Sequence, residues 1–260
     1  SAASDVYKRQ VWGCEVILVS RRGYRRLGRL AYVRLSGSDR DVEYPARVLA
    51  SYLTHVMDRD GILQLFEKRG LLEALPGGRL ELEVLLSTLE RSRVYSSSLG
   101  RFLDSISVLL GISKYREYEG SPAIRLEEAS VGGKTIISDD IVDELIRVGE
   151  VVEIDPVPLV AKVLELLEGG GRLRDIAYTV EYVIGKAIGR AVLLSARGRR
   201  VGKVVPAGGG AMVNSVIVRG IADELRTEDF ALLLPSGTPP NDGGIALGQV
   251  YYLPYMAHVE

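Results

Sequence analysis

The sequence holds a single cysteine, Cys14, among 260 residues. One thiol closes no internal disulfide and builds no multi-cysteine zinc site, so a reducing cytoplasm is the expected compartment. Histidine is almost as scarce. His55 and His258 stand far apart without ligand spacing and read as ordinary surface or core residues. Long apolar runs are missing too: no stretch reaches the roughly 20 uninterrupted apolar residues of a membrane-spanning helix, and the start does not read as a secretory signal. The formal charge of -1 gives no overall electrostatic reason to bind nucleic acid or an anionic membrane. A basic run at Arg21, Arg22, Arg25, Arg26 and Arg29 alternates with apolar residues across Gly23 and Tyr24, the pattern of the solvated face of a hairpin.

What is present suits a globular protein. With 47% hydrophobic and 26% charged residues, the chain is long enough to bury a sizeable core, as one large domain or two small lobes. Residues 1–10 lack periodicity and are set aside from fold reasoning as a non-native leader, with the expectation that the native protein began earlier.

Val16 to Ser20 and Arg29 to Leu35 are short runs on either side of a glycine-containing turn and predict a hairpin. The period then changes. Helical spacing is expected from Pro45 to Leu53, Ile62 to Leu72, Arg79 to Glu90, Leu99 to Leu110 and Ala123 to Ala129. Lys134 to Ser138 reads as a strand, and Asp139 to Val152 as helix or hairpin. Pro158 opens a helix stopped by Gly169, Gly170 and Gly171, and a long helix covers Leu173 to Ala196. Strand, glycine turn and helix then occur twice: Lys203 to Pro206 before Asn214 to Leu225, and Ala231 to Leu234 before a helix from Gly244. That repeat is the form of a parallel sheet with phosphate-facing loops.

Three clusters carry chemistry. Gly208, Gly209 and Gly210, followed by Asn214, lie between a strand and a helix, where glycines admit a ligand close to the backbone and a helix start attracts phosphate. A tight turn requiring positive φ explains them equally. Pro239-Pro240-Asn241-Asp242-Gly243-Gly244 repeats that position, with Asp242 at the expected N-cap and its carboxylate open to a metal or substrate; plain capping is the alternative. Tyr118-Glu119-Gly120 offers a carboxylate to the paired hydroxyls of a ribose, or is only a capped turn.

These segments together carry a resemblance. Pro239 through Gln249 is similar, nearly residue for residue, to the closing motif of HypF carbamoyltransferases, which act in hydrogenase maturation. Ser96-Ser97-Ser98-Leu99-Gly100-Arg101-Phe102-Leu103-Asp104 resembles the family's Ser-Ser-Met-Gly-Arg segment, continued by Tyr118-Glu119-Gly120 and Leu126-Glu127. Trp12-Gly13-Cys14-Glu15 resembles a Trp-Gly-Gly-Glu, and Leu35-Ser36-Gly37-Ser38-Asp39 follows a Leu-Pro-Gly-Gly-Asp less closely.

The resemblance implies an α/β, actin/hexokinase-like fold of two lobes with its N-terminal portion missing: a first-lobe remnant over residues 11–40, a helical insert over 41–200 and a nucleotide-binding part over 201–260. It implies transfer of a carbamoyl group, from an adenylate derived from carbamoyl phosphate and ATP, to the C-terminal cysteine of a partner, HypE, on the way to the cyanide ligand of nickel–iron hydrogenase. Asp242 would then be a ligand of a divalent metal, zinc or iron. Gly209, Gly210 and Asn214 would hold the nucleotide, with Glu119, Gly120 and Asp104 near its ribose.

Departures from the pattern are Gly208 for serine, Cys14 for glycine, and no Phe-His pair near Val180 and Glu181. The family's His-His-Ala-His segment is absent, so the chain alone is expected not to catalyse transfer. A transfer-RNA threonylcarbamoyl transferase relative and a non-catalytic nucleotide-binding or docking module are the competing readings.

Overall fold

The computed structural model describes residues 4–5, 10–11, 13–20 and 23–256; Trp12, Arg21, Arg22 and His258 lie outside them. The segment set aside as a leader contributes β1 (Ser4–Asp5) and, with Val11, β2 (Gln10–Val11), which pair antiparallel. The expected hairpin is formed by β3 (Glu15–Ser20) and β4 (Gly23–Leu30), and β5 (Val33–Leu35) follows. The strand turns earlier than the sequence suggested, which places Arg25, Arg26 and Arg29 of the basic run in β4. Arg25 is exposed, but Arg26 and Arg29 are half-buried, Arg26 facing Glu15 at 3.4 Å and Arg29 paired with Glu153 and stacked 3.7 Å over the Tyr32 ring. These described arginines are therefore not simply a solvated face: Arg26 braces β4 against Glu15 of β3, and Arg29 ties the hairpin to Glu153.

Helices α1 (Arg40–Glu43), α2 (Ala46–Leu53), α3 (Arg59–Lys68) and α4 (Gly78–Arg91) come next, with one 3-10 turn at Leu71–Ala74. A short strand, β6 (Val94–Ser96), leads into α5 (Leu99–Leu109) and α6 (Ser121–Ser130). Caps fix several starts: the Asp58 side chain accepts from the Gly61 N–H and Ser98 from that of Arg101, each satisfying a donor that the helix cannot.

Lys134 to Ser138, expected as a strand, is irregular. Its N–H groups find side chains instead of a neighbouring strand: Lys134 donates to Asp175 at 3.2 Å and Ile136 to Thr179 at 3.1 Å. Beyond it, α7 (Asp140–Glu144), β7 (Ile146–Val148) and β8 (Val152–Ile154) resolve the ambiguous stretch into a helix and then an antiparallel pair.

The chain continues through α8 (Val157–Glu168), α9 (Leu173–Ala196), β9 (Val204–Pro206), α10 (Ser215–Arg226), β10 (Ala231–Leu233) and α11 (Ile245–Met256). Among the described residues the strands form three sheets, in the orders β1-β2-β6-β5, β3-β4-β8-β7 and β10-β9. The last is parallel, as the repeated strand-turn-helix pattern predicts.

Helix α9 is the axis of the core. Ile176, Ala177, Val180, Ile184, Ala187 and Ala191 are fully buried, and α6, α8, α10 and β8 pack around it. Its contact with α10 is made by glycine. A Cβ on Gly185 would stand 2.4 Å from the Ile217 carbonyl oxygen, and one on Gly220 would stand 2.3 Å from that of Tyr182. The two backbones touch because no side chain intervenes, and any added carbon must push them apart.

Gly220→Ala is expected to lower stability in chemical denaturation by about 1–3 kcal/mol or more, the usual cost of overpacking a close-packed contact. Gly100→Ala, on an exposed part of α5 with room for a methyl group, is the control; it should be neutral or gain up to about 1 kcal/mol.

Candidate functional site

The two glycine loops lie against one another. The N–H of Gly209 donates to the carbonyl of Pro240 at 2.5 Å, so the loop after β9 and the loop after β10 form one surface at the ends of the parallel strands. Gly209 has φ 114, which L side chains rarely adopt. Gly210 has no such requirement, is exposed, and a Cβ there would meet nothing within 4 Å. The turn thus accounts for Gly209. It does not account for Gly210.

The start of α10 differs from the expectation of free phosphate-binding donors. Asn214 is its N-cap, with Oδ1 accepting from the N–H groups of Val216 at 3.1 Å and Ile217 at 2.9 Å. The Ser215 N–H and hydroxyl donate to Glu127 Oε1 at 2.8 and 2.9 Å. These donors are all satisfied internally, because a carboxylate from α6 occupies the place that an anion would take. What stays open is the exposed backbone of Gly208 and Gly210.

Asp242 sits in the first position of a 3-10 turn, Asp242–Gly244, and is exposed. The cap expected of it is made by Asn241, whose Oδ1 accepts from the Gly243 N–H at 3.1 Å. The reason is spacing: an N-cap side chain reaches donors two and three residues on, and the turn opens after Asn241. The Asp242 carboxylate is thereby left out of the cap. Among the described residues, no three His, Cys, Asp or Glu side chains gather in a way that could hold a metal ion.

The remaining predicted residues flank α6. Gly120, at φ 77, forms the turn into that helix, while Glu119 is highly exposed and reaches Arg116 at 3.8 Å. Asp104 is buried on α5, where its Oδ1 accepts from the Ala123 N–H at 3.1 Å. Helix α6 thus joins the site's parts, bonded to Asp104 at its first turn and to Ser215 through Glu127.

Distant segments converge beside it. Gly13 packs on Ser98, where a Cβ would come within 2.6 Å of the backbone, and the Ser97 hydroxyl donates to Glu15 at 2.8 Å. The helix contacts of Gly185 and Gly220, and the buried acid Glu181 bonded to Asn214 at 2.8 Å, escaped the sequence reading. A signal for Glu181 existed: a charged residue in the apolar stripe Ala177, Val180, Ile184, Ile188.

Residues 7–249 match the family described as Carbamoyltransferase, Kae1-like Domain, second subdomain. The chain belongs to the HypF carbamoyltransferase family. It is 28% identical to carbamoyltransferase HypF2 of Cupriavidus necator over 93% of its own length and 31% of that protein, and 30% identical to HypF of Rhodobacter capsulatus over 92% and 29%. The crystal structure of T. kodakarensis HypF superposes with a TM-score of 0.82 at 28% identity, covering 95% of this chain and 32% of that one. A full-length HypF solved in a phosphate- and nucleotide-bound form superposes at 0.75 and 22% identity, over 96% and 31%. The chain therefore spans about 30% of the length of these relatives, and its fold is part of the α/β, actin/hexokinase-like module of HypF. Among the described residues, no helix is long and apolar enough to cross a membrane.

Loss of solvation, and then the Glu15 carboxylate, push the thiol of the half-buried Cys14 up to about 12, which disfavours its thiolate at neutral pH. Burial likewise raises the Asp104 carboxyl from 3.8 to about 6, against the lowering effects of Arg116, the Ala123 N–H and Arg101. A raised folded value means that the group's contribution to stability is full below the unfolded value and is lost as pH rises through about 6. Between about pH 4 and pH 8 wild type should lose on the order of 2–3 kcal/mol from this group, a loss absent in Asp104→Asn, which keeps the acceptor for Ala123. Asp104→Ala should be less stable than Asn by about 1–3 kcal/mol, having orphaned that N–H. Urea unfolding across this pH range measures both.

Proposed function

We propose that this chain forms the nucleotide-holding part of a HypF-type carbamoyltransferase, in which carbamoyl adenylate is held while a cysteine thiolate of the partner HypE attacks the carbamoyl carbon. In that step the sulfur–carbon bond forms, the bond from carbon to the adenylate phosphate oxygen breaks, and AMP leaves. The product thiocarbamate leads toward the cyanide ligand of nickel–iron hydrogenase. The observation that carries this reading is the joined pair of glycine loops, Gly208–Gly210 and Pro239–Gly244, with Gly209 bonded to Pro240 and Gly210 left clear. An open loop backbone suits close approach of a phosphate, and a full-length HypF of the same fold has been solved with phosphate and nucleotide.

The divalent metal that the family resemblance implies does not fit the described residues alone. One exposed carboxylate, Asp242, cannot hold an ion against water as several protein ligands do, so no step is derived through a metal. Asp242 would supply one ligand, completed elsewhere in the parent enzyme. For the same reason this chain by itself should not carbamoylate HypE.

Gly210→Ala tests the loop. It should leave the thermal midpoint unchanged, there being space for the methyl group and no positive φ, while weakening adenine-nucleotide binding roughly tenfold or more by keeping the ligand off the backbone. Unaltered affinity in a stable variant would remove the loop from the site.

Asp242→Asn in the whole parent enzyme should lower carbamoyl transfer by about a hundredfold and spare adenylate formation, because losing a ligand disables one reaction and not the other. Equal loss of both activities would assign Asp242 a structural role.

A further inference from the structure

Glu181 stands on α9 beneath the start of α10, fully buried, with no cation paired to it. Its Oε1 accepts from Asn214 Nδ2 at 2.8 Å. Its Oε2 is buried and receives no hydrogen-bond donor among the described residues. The Ser130 hydroxyl lies beside the carboxyl, where its hydrogen would favour the ionised form, but it is also bonded to the Glu127 carbonyl at 2.8 Å; while its one hydrogen is given to that carbonyl, it can only accept from Glu181. An ionised carboxylate facing lone pairs away from water is unfavourable. A carboxylic acid placed there donates to them.

The charged groups around it act in the same direction. From α6 the facing group is Glu127, a like charge whose Oε1 is held by Ser215. The first charged residue of α10, Arg219, is bonded to the Tyr178 hydroxyl at 3.3 Å. On α9 itself, Asp175 accepts from the Lys134 N–H, and Lys186 is engaged by Asp139 and Glu224. Among the described residues no cation is paired with it to stabilise the ionised form. Burial pushes the carboxyl up from 4.5 to about 7 against the lowering effects of the Ser130 and Asn214 hydrogen bonds, and Glu127 adds to the rise.

We propose that Glu181 is a positioning residue that works as the neutral acid: its carbonyl oxygen holds the Asn214 amide and its proton bridges to Ser130, clamping α9, α6 and the start of α10 so that the glycine loop keeps its shape. The inference rests on the reading of that loop as a nucleotide site. With Nδ2 held, Asn214 keeps Oδ1 aimed at the N–H groups of Val216 and Ile217. Loss of the proton leaves a buried carboxylate beside Glu127 with its Oε2 unpartnered; Asn214 still donates to Oε1, but opening the contact to hydrate the charge, and with it the cap immediately after the Gly210–Val213 turn, becomes easier. Because the folded value is raised, the clamp is complete below about 4.5 and is lost as pH rises through about 7.

The test uses the 260-residue chain, with AMP as the probe, in wild type, Glu181→Gln and Glu181→Ala. Glutamine reproduces the neutral acid, accepting from Asn214 and donating to Ser130 at every pH. Amide hydrogen-exchange protection factors at Val216 and Ile217 should fall about tenfold in wild type between about pH 6 and pH 8.5, stay high in Gln and be low throughout in Ala. AMP affinity should follow the same order, falling with pH in wild type and flat in Gln. Protection that does not change with pH in wild type, or a Gln variant as open as Ala, overturns the proposal. Should Ala fail to fold, the comparison of wild type with Gln decides. Protection that switches as expected while AMP binds no variant supports the clamp and removes the nucleotide reading. AMP bound with the same affinity at both pH values, despite switching protection, overturns the coupling of clamp to loop.

Discussion

The contact between α9 and α10 is where the position of the site is set. Glycines at 185 and 220 let the two helices meet backbone to backbone, with neighbouring carbonyls where Cβ atoms would otherwise be, and Gly189 leaves room for the Glu224 side chain. That approach seats the start of α10 over the middle of α9. There Asn214 meets Glu181 and the preceding loop is held against Pro240. Further along the same crossing, Glu224 is buried and ion-paired with Arg190 and Lys186, which fixes the rotation of one helix on the other. A helix pair separated by ordinary side chains would place the same loop a few ångströms away from its neighbours.

Around this pair, α6 works as a connector. Its first turn is bonded to the buried Asp104 of α5, and its later residues Glu127 and Ser130 reach the start of α10 and Glu181. Asp104 and Glu127 satisfy backbone N–H groups at helix starts, Glu181 accepts from the Asn214 side-chain amide, and burial favours the protonated forms of Asp104 and Glu181.

The family and much of the element order were readable in the amino-acid sequence, for a physical reason. Periodicity and punctuation are local, and the helices from Ala46, Gly78, Leu99, Leu173 and Ser215 each carry their own apolar stripe, cap or glycine stop. The parallel pairing of β9 with β10 follows from two consecutive strand-turn-helix units, and the motif from Pro239 to Gln249 carried the resemblance that the family match then established. Where local pattern misled, a tertiary partner had intervened: Lys134 to Ser138 has a strand's composition, yet Asp175 and Thr179 take its N–H groups, and Asp242 has a capping side chain, yet Asn241 is the cap.

By itself the sequence determined which segments are helices, which glycines and prolines punctuate them, and to which family the chain belongs, because each of these depends on residues close together along the chain. Only the tertiary structure decided that Gly185 and Gly220 serve a helix crossing, that the donors at the start of α10 are satisfied by Glu127 and Asn214, and that Glu181 is buried against Ser130 and Asn214. Apart from the local Asn214 cap, those properties belong to pairs of residues far apart along the chain, and the environment that moves a proton or closes a contact exists only once folding has brought them together.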